Sequence, residues 1–197
     1  MNKLINILFL LVLVVRCSGE RSEEGDQFFN KQQFEQAIEA YNDYLEARPN
    51  DLKIIYKRAR AYEELGNDTK AVSGYEFIIS RDEEHANAHL GLAGHFYRTS
   101  DFENALFHYE RAIEKDKSNP IAYLQKGKSN QKLGNLREAL GDYNSAISIN
   151  RDIPDLYIAR GSLRLVMNQS SLACNDFKIA KSLGSDEAPD IIKDYCR

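Results

Sequence analysis

The stretch Pro120–Asn150, PIAYLQKGKSNQKLGNLREALGDYNSAISIN, decides the fold. Two segments of helical periodicity meet at the tight turn Gly134-Asn135. The first carries Tyr123 and Gly127, the second Ala139, Tyr143 and Ala146. Small residues at Gly127, Ala139 and Ala146 let two helix backbones approach, and Tyr143 and Ile147 fill the space beside them. A single hairpin of this kind cannot bury its apolar face, so it requires similar neighbours. They occur at a fixed step of 34 residues. Ala37, Ala71, Ala105, Ala139 and Ala173 form one ladder, and Tyr41, Tyr75, Tyr109, Tyr143 and Phe177 a second. Gly25, Ala59, Ala93, Gly127 and Gly161 form a third, on the first helix of each pair.

Outward from this stretch, the same periodicity predicts first helices at about 22–31, 52–65, 86–99, 120–133 and 154–167. Second helices are predicted at about 34–48, 68–81, 102–115, 136–149 and 170–182. Boundary residues agree. Gly66, Gly134 and Asn168 suit a helix end in the left-handed region. Asn67, Asp101 and Asn135 suit N-caps, and Pro120 and Pro154 suit a first helical turn. No alternating β-branched run supports a sheet.

These ladders, with Leu-Gly-Asn at 65–67 and again at 133–135, resemble the tetratricopeptide repeat family over Gly25 to Gly184. The resemblance implies an all-α fold, an α-α superhelix of about five helix hairpins. Repeats are expected near 18–51, 52–85, 86–119, 120–153 and 154–184, with a capping helix in 185–197. In that last segment Ala188, Ile191, Ile192 and Tyr195 recur at helical spacing. The large aromatic of the family's first helix is Phe28, Tyr62 and Phe96, then becomes Asn130 and Arg164. Looser packing is expected at those two positions.

The N-terminus reads differently. A short positive start precedes Leu4–Val15 (LINILFLLVLVV), an apolar run interrupted at Asn6. Twelve helical residues reach about 18 Å, short of a hydrocarbon core of roughly 30 Å. The pattern is that of an export signal over 1–17. Cys17 follows at once, and Val14-Val15-Arg16-Cys17 resembles a bacterial lipobox, which implies lipidation at Cys17. Arg16 departs from the small residue that pattern prefers. Cleavage after Gly19 by ordinary signal peptidase is the alternative. An exported, membrane-anchored lipoprotein facing the periplasm is the expectation, with a soluble periplasmic or secreted protein as the other outcome.

With Cys17 acylated, Cys174 and Cys196 remain as an even pair that an oxidising compartment would join. The alternative is a small packing residue and a terminal thiol. His85 and His89 are four apart, but His95 lies on the other side of that helix and His108 on the next, so no metal site is expected. No nucleophile elbow, P-loop or zinc-protease motif is present, and neither a catalytic residue nor a cofactor is expected. A formal charge of −4 gives no broad basic face for nucleic acid.

In the family the first helices line the concave wall. Here that wall would comprise Tyr56, Lys57, Arg60, Leu90, Tyr97, Arg98, Leu124, Gln125, Lys128, Gln131, Lys132 and Ile158. Its cations between aromatic and aliphatic residues suit an acidic or carboxylate-bearing peptide of a protein partner. The family's chaperone-binding pattern, matched Lys and Asn residues around a terminal carboxylate, is absent, since Gly91 stands where Asn is needed. A protein-interaction adaptor is therefore the leading expectation. A small metal-dependent enzyme on a helical frame and a self-associating spacer are the alternatives.

Overall fold

The computed structural model describes residues 21–196, and their regular structure is entirely helical. Helix α1 is described over residues 21–30. It is followed by α2 Phe34–Ala47, α3 Leu52–Glu64, α4 Asp68–Arg81, α5 Ala86–Arg98 and α6 Phe102–Lys115. Then come α7 Pro120–Lys132, α8 Leu136–Ile149, α9 Pro154–Val166, α10 Ser170–Ser182 and α11 Ala188–Tyr195. The export segment and Cys17 lie outside the described residues. Among those described, no helix is long and apolar enough to cross a membrane. The chain divides at Glu83 and Glu84 into two compact units, α1–α4 and α5–α11.

Local chemistry sets the helix ends. Asp51 accepts from the amides of Lys53 and Ile54, Asn67 from Lys70, Asp101 from Asn104, and Asn119 from Ile121 and Ala122. Asn135 departs from expectation. It makes no side-chain cap and instead donates to Asn130 Oδ1 at 3.3 Å. His85 takes the capping role at α5, where Nδ1 accepts from Ala88 N at 3.1 Å. Gly66 and Gly134 turn with φ of 70° and 82°, as their positions require. Gln32, Ser100 and Asn168 adopt the same region with side chains, at about 1 kcal/mol each.

In the first, fourth and fifth hairpins the aromatic of the second helix lies over a glycine of the first, Tyr41 on Gly25, Tyr143 on Gly127 and Phe177 on Gly161. In the α5–α11 unit a Cβ at Gly127 would stand 2.6 Å from Tyr143 Cε1, a distance no side chain tolerates. Ala139, Tyr143 and Ala146 are fully buried there. The α1–α4 unit repeats the arrangement with Gly25 beneath Tyr41, and buries Ala37, Tyr41, Ala59, Ala71 and Tyr75.

Two expectations are corrected. Asn130 and Arg164 do not loosen their hairpins. Asn130 donates to Asp142 at 2.8 Å within the core, and Arg164 pairs with Asp176 at 2.7 Å. A polar clasp has replaced an aromatic contact. On α11, Ala188 is buried and Ile191 and Ile192 are half-buried, but Tyr195 is 60% exposed and contributes nothing to the packed face. Cys174 on α10 and Cys196 after α11 are joined as a disulfide, with Cα atoms 5.6 Å apart.

Candidate functional site

In the α1–α4 unit, Tyr56, Lys57 and Arg60 of α3 share a cleft of ≈ 310 Å³ with Asp26, Phe29 and Asn30 of the first hairpin and with Tyr41. Their spacing along α3 puts all three on one side of the helix. The polar groups are matched among themselves. Asp26 accepts from the Tyr41 hydroxyl at 2.8 Å and pairs with Lys57. Arg60 reaches Glu63 at 3.5 Å and Glu64 at 3.4 Å. Glu63 also accepts from the Tyr75 hydroxyl at 2.8 Å, and the Tyr75 ring lies 5.9 Å from that of Tyr56. Burial, reinforced by the hydrogen bond to Asp26, pushes the Tyr41 hydroxyl far above the usual phenol range. Burial does the same to Tyr75, with Glu63 adding to it. Both phenols therefore stay neutral donors at any physiological pH. The cations arrive with carboxylates already in place, so an incoming anion would bind by exchange.

In the α5–α11 unit, α5 carries Leu90, Tyr97 and Arg98, α7 carries Gln125, Lys128, Gln131 and Lys132, and α9 carries Ile158. Arg98 and Lys132 are exposed and the others half-buried. Gln131 accepts from the Tyr143 hydroxyl at 2.9 Å, which fixes its side chain. Leu124 must be removed from this set. It is 3% exposed and belongs to the core with Tyr143, Ile147 and Leu156. The helical spacing that placed it on the wall ignores how closely α9 approaches α7.

The four histidines do not converge. His85 caps a helix, while His89 and His108 meet with Nδ1 atoms 2.8 Å apart. Phe96 stacks on the His108 ring at 5.4 Å and 8°. Burial, then the neighbouring His89, holds His108 down to about 4. No group of three or more His, Cys, Asp or Glu able to hold a metal exists among the described residues.

Comparison with known proteins now bears on this frame. A family profile described as "Tetratricopeptide repeat" matches residues 23–76 and 56–120, and another of the same description matches 121–153. The chain belongs to the tetratricopeptide repeat family. Over 67 residues it is 28% identical to the Hsp70-Hsp90 organizing protein of Triticum aestivum, which is 34% of this chain and 12% of that protein. The chain thus spans a small part of that relative's length. Among solved structures, MamA is similar with a TM-score of 0.74 at 24% identity, covering 84% of this chain and 96% of its own. MamA residues 41 to the end from Desulfovibrio magneticus RS-1 gives 0.77 at 14% identity, over 84% and 94%. A thermophilic tetratricopeptide repeat protein of Thermus thermophilus gives 0.67 at 18%, over 90% and 96%. At these identities the likeness is one of fold, the α-α superhelix class. Tetratricopeptide repeat proteins are protein-interaction scaffolds.

Within the tetratricopeptide repeats, one set of residues escaped the sequence reading. Ala40, Gly74, His108, Asp142 and Asp176 are equivalent positions on the second helices. Asp176 is 1% exposed and clasped by Arg160, through Nε at 3.0 Å and Nη2 at 2.7 Å, as well as by Arg164. Asp142 takes Lys126 at 3.3 Å beside Asn130, and Lys126 also reaches Glu110 on α6 at 3.3 Å. Burial pushes the Asp142 carboxyl up despite these donors. The signal was available: the residues at 130 and 164 become polar in the same repeats where 142 and 176 become acidic.

Proposed function

We propose that this protein is a non-enzymatic adaptor of a bacterial cell envelope, which receives an acidic or carboxylate-bearing peptide of a partner protein on its first-helix faces. The observation that carries the reading is the cleft where Tyr56, Lys57 and Arg60 meet Phe29, Asn30 and Tyr41. Aromatic rings there supply contact area. Two cations held by exchangeable carboxylates supply recognition of a partner's anion, and their charge speeds encounter more than it adds affinity. The chaperone partners in the wheat relative's name are not proposed for this chain, because Gly91 replaces the required Asn.

Anchorage by lipid on Cys17 belongs to the same proposal. Its support is the apolar run ending at Val15, directly before Arg16-Cys17. The Cys174–Cys196 disulfide agrees with an oxidising compartment. Palmitate labelling should mark the wild-type protein and not Cys17→Ser, and globomycin should block its maturation. An unlabelled wild-type protein removes the anchor. For the binding face, the partner captured by crosslinking in intact cells should be lost when Arg60, Arg98 and Lys128 are replaced by Glu, with helicity unchanged. Capture at the parental level by that variant would exclude these faces as the site.

A further inference from the structure

The other side of α3 carries a second cleft, of ≈ 440 Å³, whose walls include Arg58, Tyr62, Lys70, Ser73, Gly74 and Phe77. It shares no lining residue with the Tyr56 cleft. Its meaning emerges from the repeat register. Gly74 is equivalent to Asp142 and Asp176, and Arg58 is equivalent to Lys126 and Arg160, the cations that clasp those two carboxylates. The second hairpin has therefore kept the cation and lost the acid.

Its guanidinium is held as in the fifth hairpin. Arg160 Nη1 donates to Asn144 on the preceding helix at 2.8 Å, and Arg58 Nη1 donates to Asn42, sixteen residues back in the same way, at 2.8 Å. Arg160 then directs Nε and Nη2 to Asp176. At Arg58 no carboxylate occupies that place, and among the described residues neither Arg58 nor Lys70 forms an ion pair. Lys70 Nζ sits 5.0 Å over the Tyr62 ring at the same cleft. The chain cannot fill the space from within, because a Cβ at Gly74 would stand 2.8 Å from Ala59 Cβ. In the fourth and fifth hairpins the residues equivalent to Ala59 are Gly127 and Gly161, which leave room for the aspartates.

We infer that the α3–α4 cleft is a carboxylate-binding site that takes an acidic side chain of a partner peptide into the place Asp142 and Asp176 occupy in the later hairpins. Arg58 and Lys70 bind the carboxylate, and Tyr62 and Phe77 border it with apolar surface.

The test titrates the full-length protein with tetraglutamate blocked at both ends, followed by NMR, with blocked tetraglutamine and acetate as parallel arms. Tetraglutamate should shift the Arg58 side-chain N–H and the amides of Lys70, Ser73 and Gly74. Two variants should each weaken this by about tenfold or more, the loss expected when one charged hydrogen-bond partner goes. Arg58→Gln removes the cation, and Ala59→Gly/Gly74→Asp supplies the carboxylate from the chain itself. Should the double variant fail to fold, Arg58→Gln alone decides. Arg60→Gln, in the other cleft, should leave the Gly74 shift in place, so failure here is distinct from failure of the adaptor reading. Absent shifts, equal shifts with tetraglutamine, or undiminished binding by Arg58→Gln overturn the site. Acetate binding as tightly as tetraglutamate, mole for mole, overturns the peptide partner.

Discussion

At Gly127 the tolerance for added volume is less than one methyl group. Gly127→Ala should lower stability by about 1–3 kcal/mol in urea titrations, because the Tyr143 ring cannot retreat from a fully buried site. Gly141, exposed in mid-helix with no neighbour within 4 Å, is the counter-case. Gly141→Ala should raise stability by about 0.5–1 kcal/mol. Asp176 carries a different penalty. Asp176→Ala leaves the half-buried Arg160 and Arg164 without their counter-ion, and should cost about 3–5 kcal/mol by the same measurement. The contrast explains what could be read residue by residue. Gly127 and Tyr143 announce themselves because packing demands small and large side chains at a fixed step. Asp142 and Asp176 do not, because a carboxylate in a helical sequence looks the same whether solvated or clasped. Leu124 was misplaced for a related reason: periodicity assigns a side to a residue, and the neighbouring helix decides whether that side is open.

Among elements, α11 and the α5–α6 pair respond to different conditions. Helix α11 has one fully buried residue, Ala188, so its attachment leans on the disulfide, which closes a loop with a sequence separation of 22. Reduction should lower stability by about 3 kcal/mol, and hydrogen exchange should rise first in α11. The α5–α6 contact is sensitive to acid. His108 takes up its proton near 4 in the folded chain and near 6.5 when unfolded. The unfolded state then binds the extra proton between those values, so stability is complete above pH 6.5 and declines as pH falls towards 4. His108→Phe should flatten the thermal midpoint measured between pH 7.5 and 5. The helices themselves were legible, with the ends of α2 to α10 within about one residue of expectation, because Gly, Pro, Asp and Asn mark many of the boundaries chemically. The caps were less so. His85 and Asn135 exchanged the roles their types suggest, because an imidazole can accept where its tautomer allows and an amide goes to the nearer partner.

For the molecule as a whole, a fold of repeated hairpins was readable because each hairpin poses the same steric problem, and the chain solves it with the same residue types. Where a peptide docks is not set by that problem, so the faces left over carry recognition without a periodic signature, and only their clustering in space, as at Tyr56, Lys57 and Arg60, marks them. Lys126 has one further consequence, for the inheritance of length. It joins Glu110 to Asp142, while Arg160 joins Asn144 to Asp176. An unequal crossover that excised residues 120–153 would bring Arg160 opposite Glu110 and place Asn119, already a capping residue, directly before Pro154, where Ile153 makes no side-chain cap. The shortened gene product should melt cooperatively, at a lower temperature than its parent. Charges that fasten neighbours would thus also make the seams at which such a gene can shed a unit and still encode a protein.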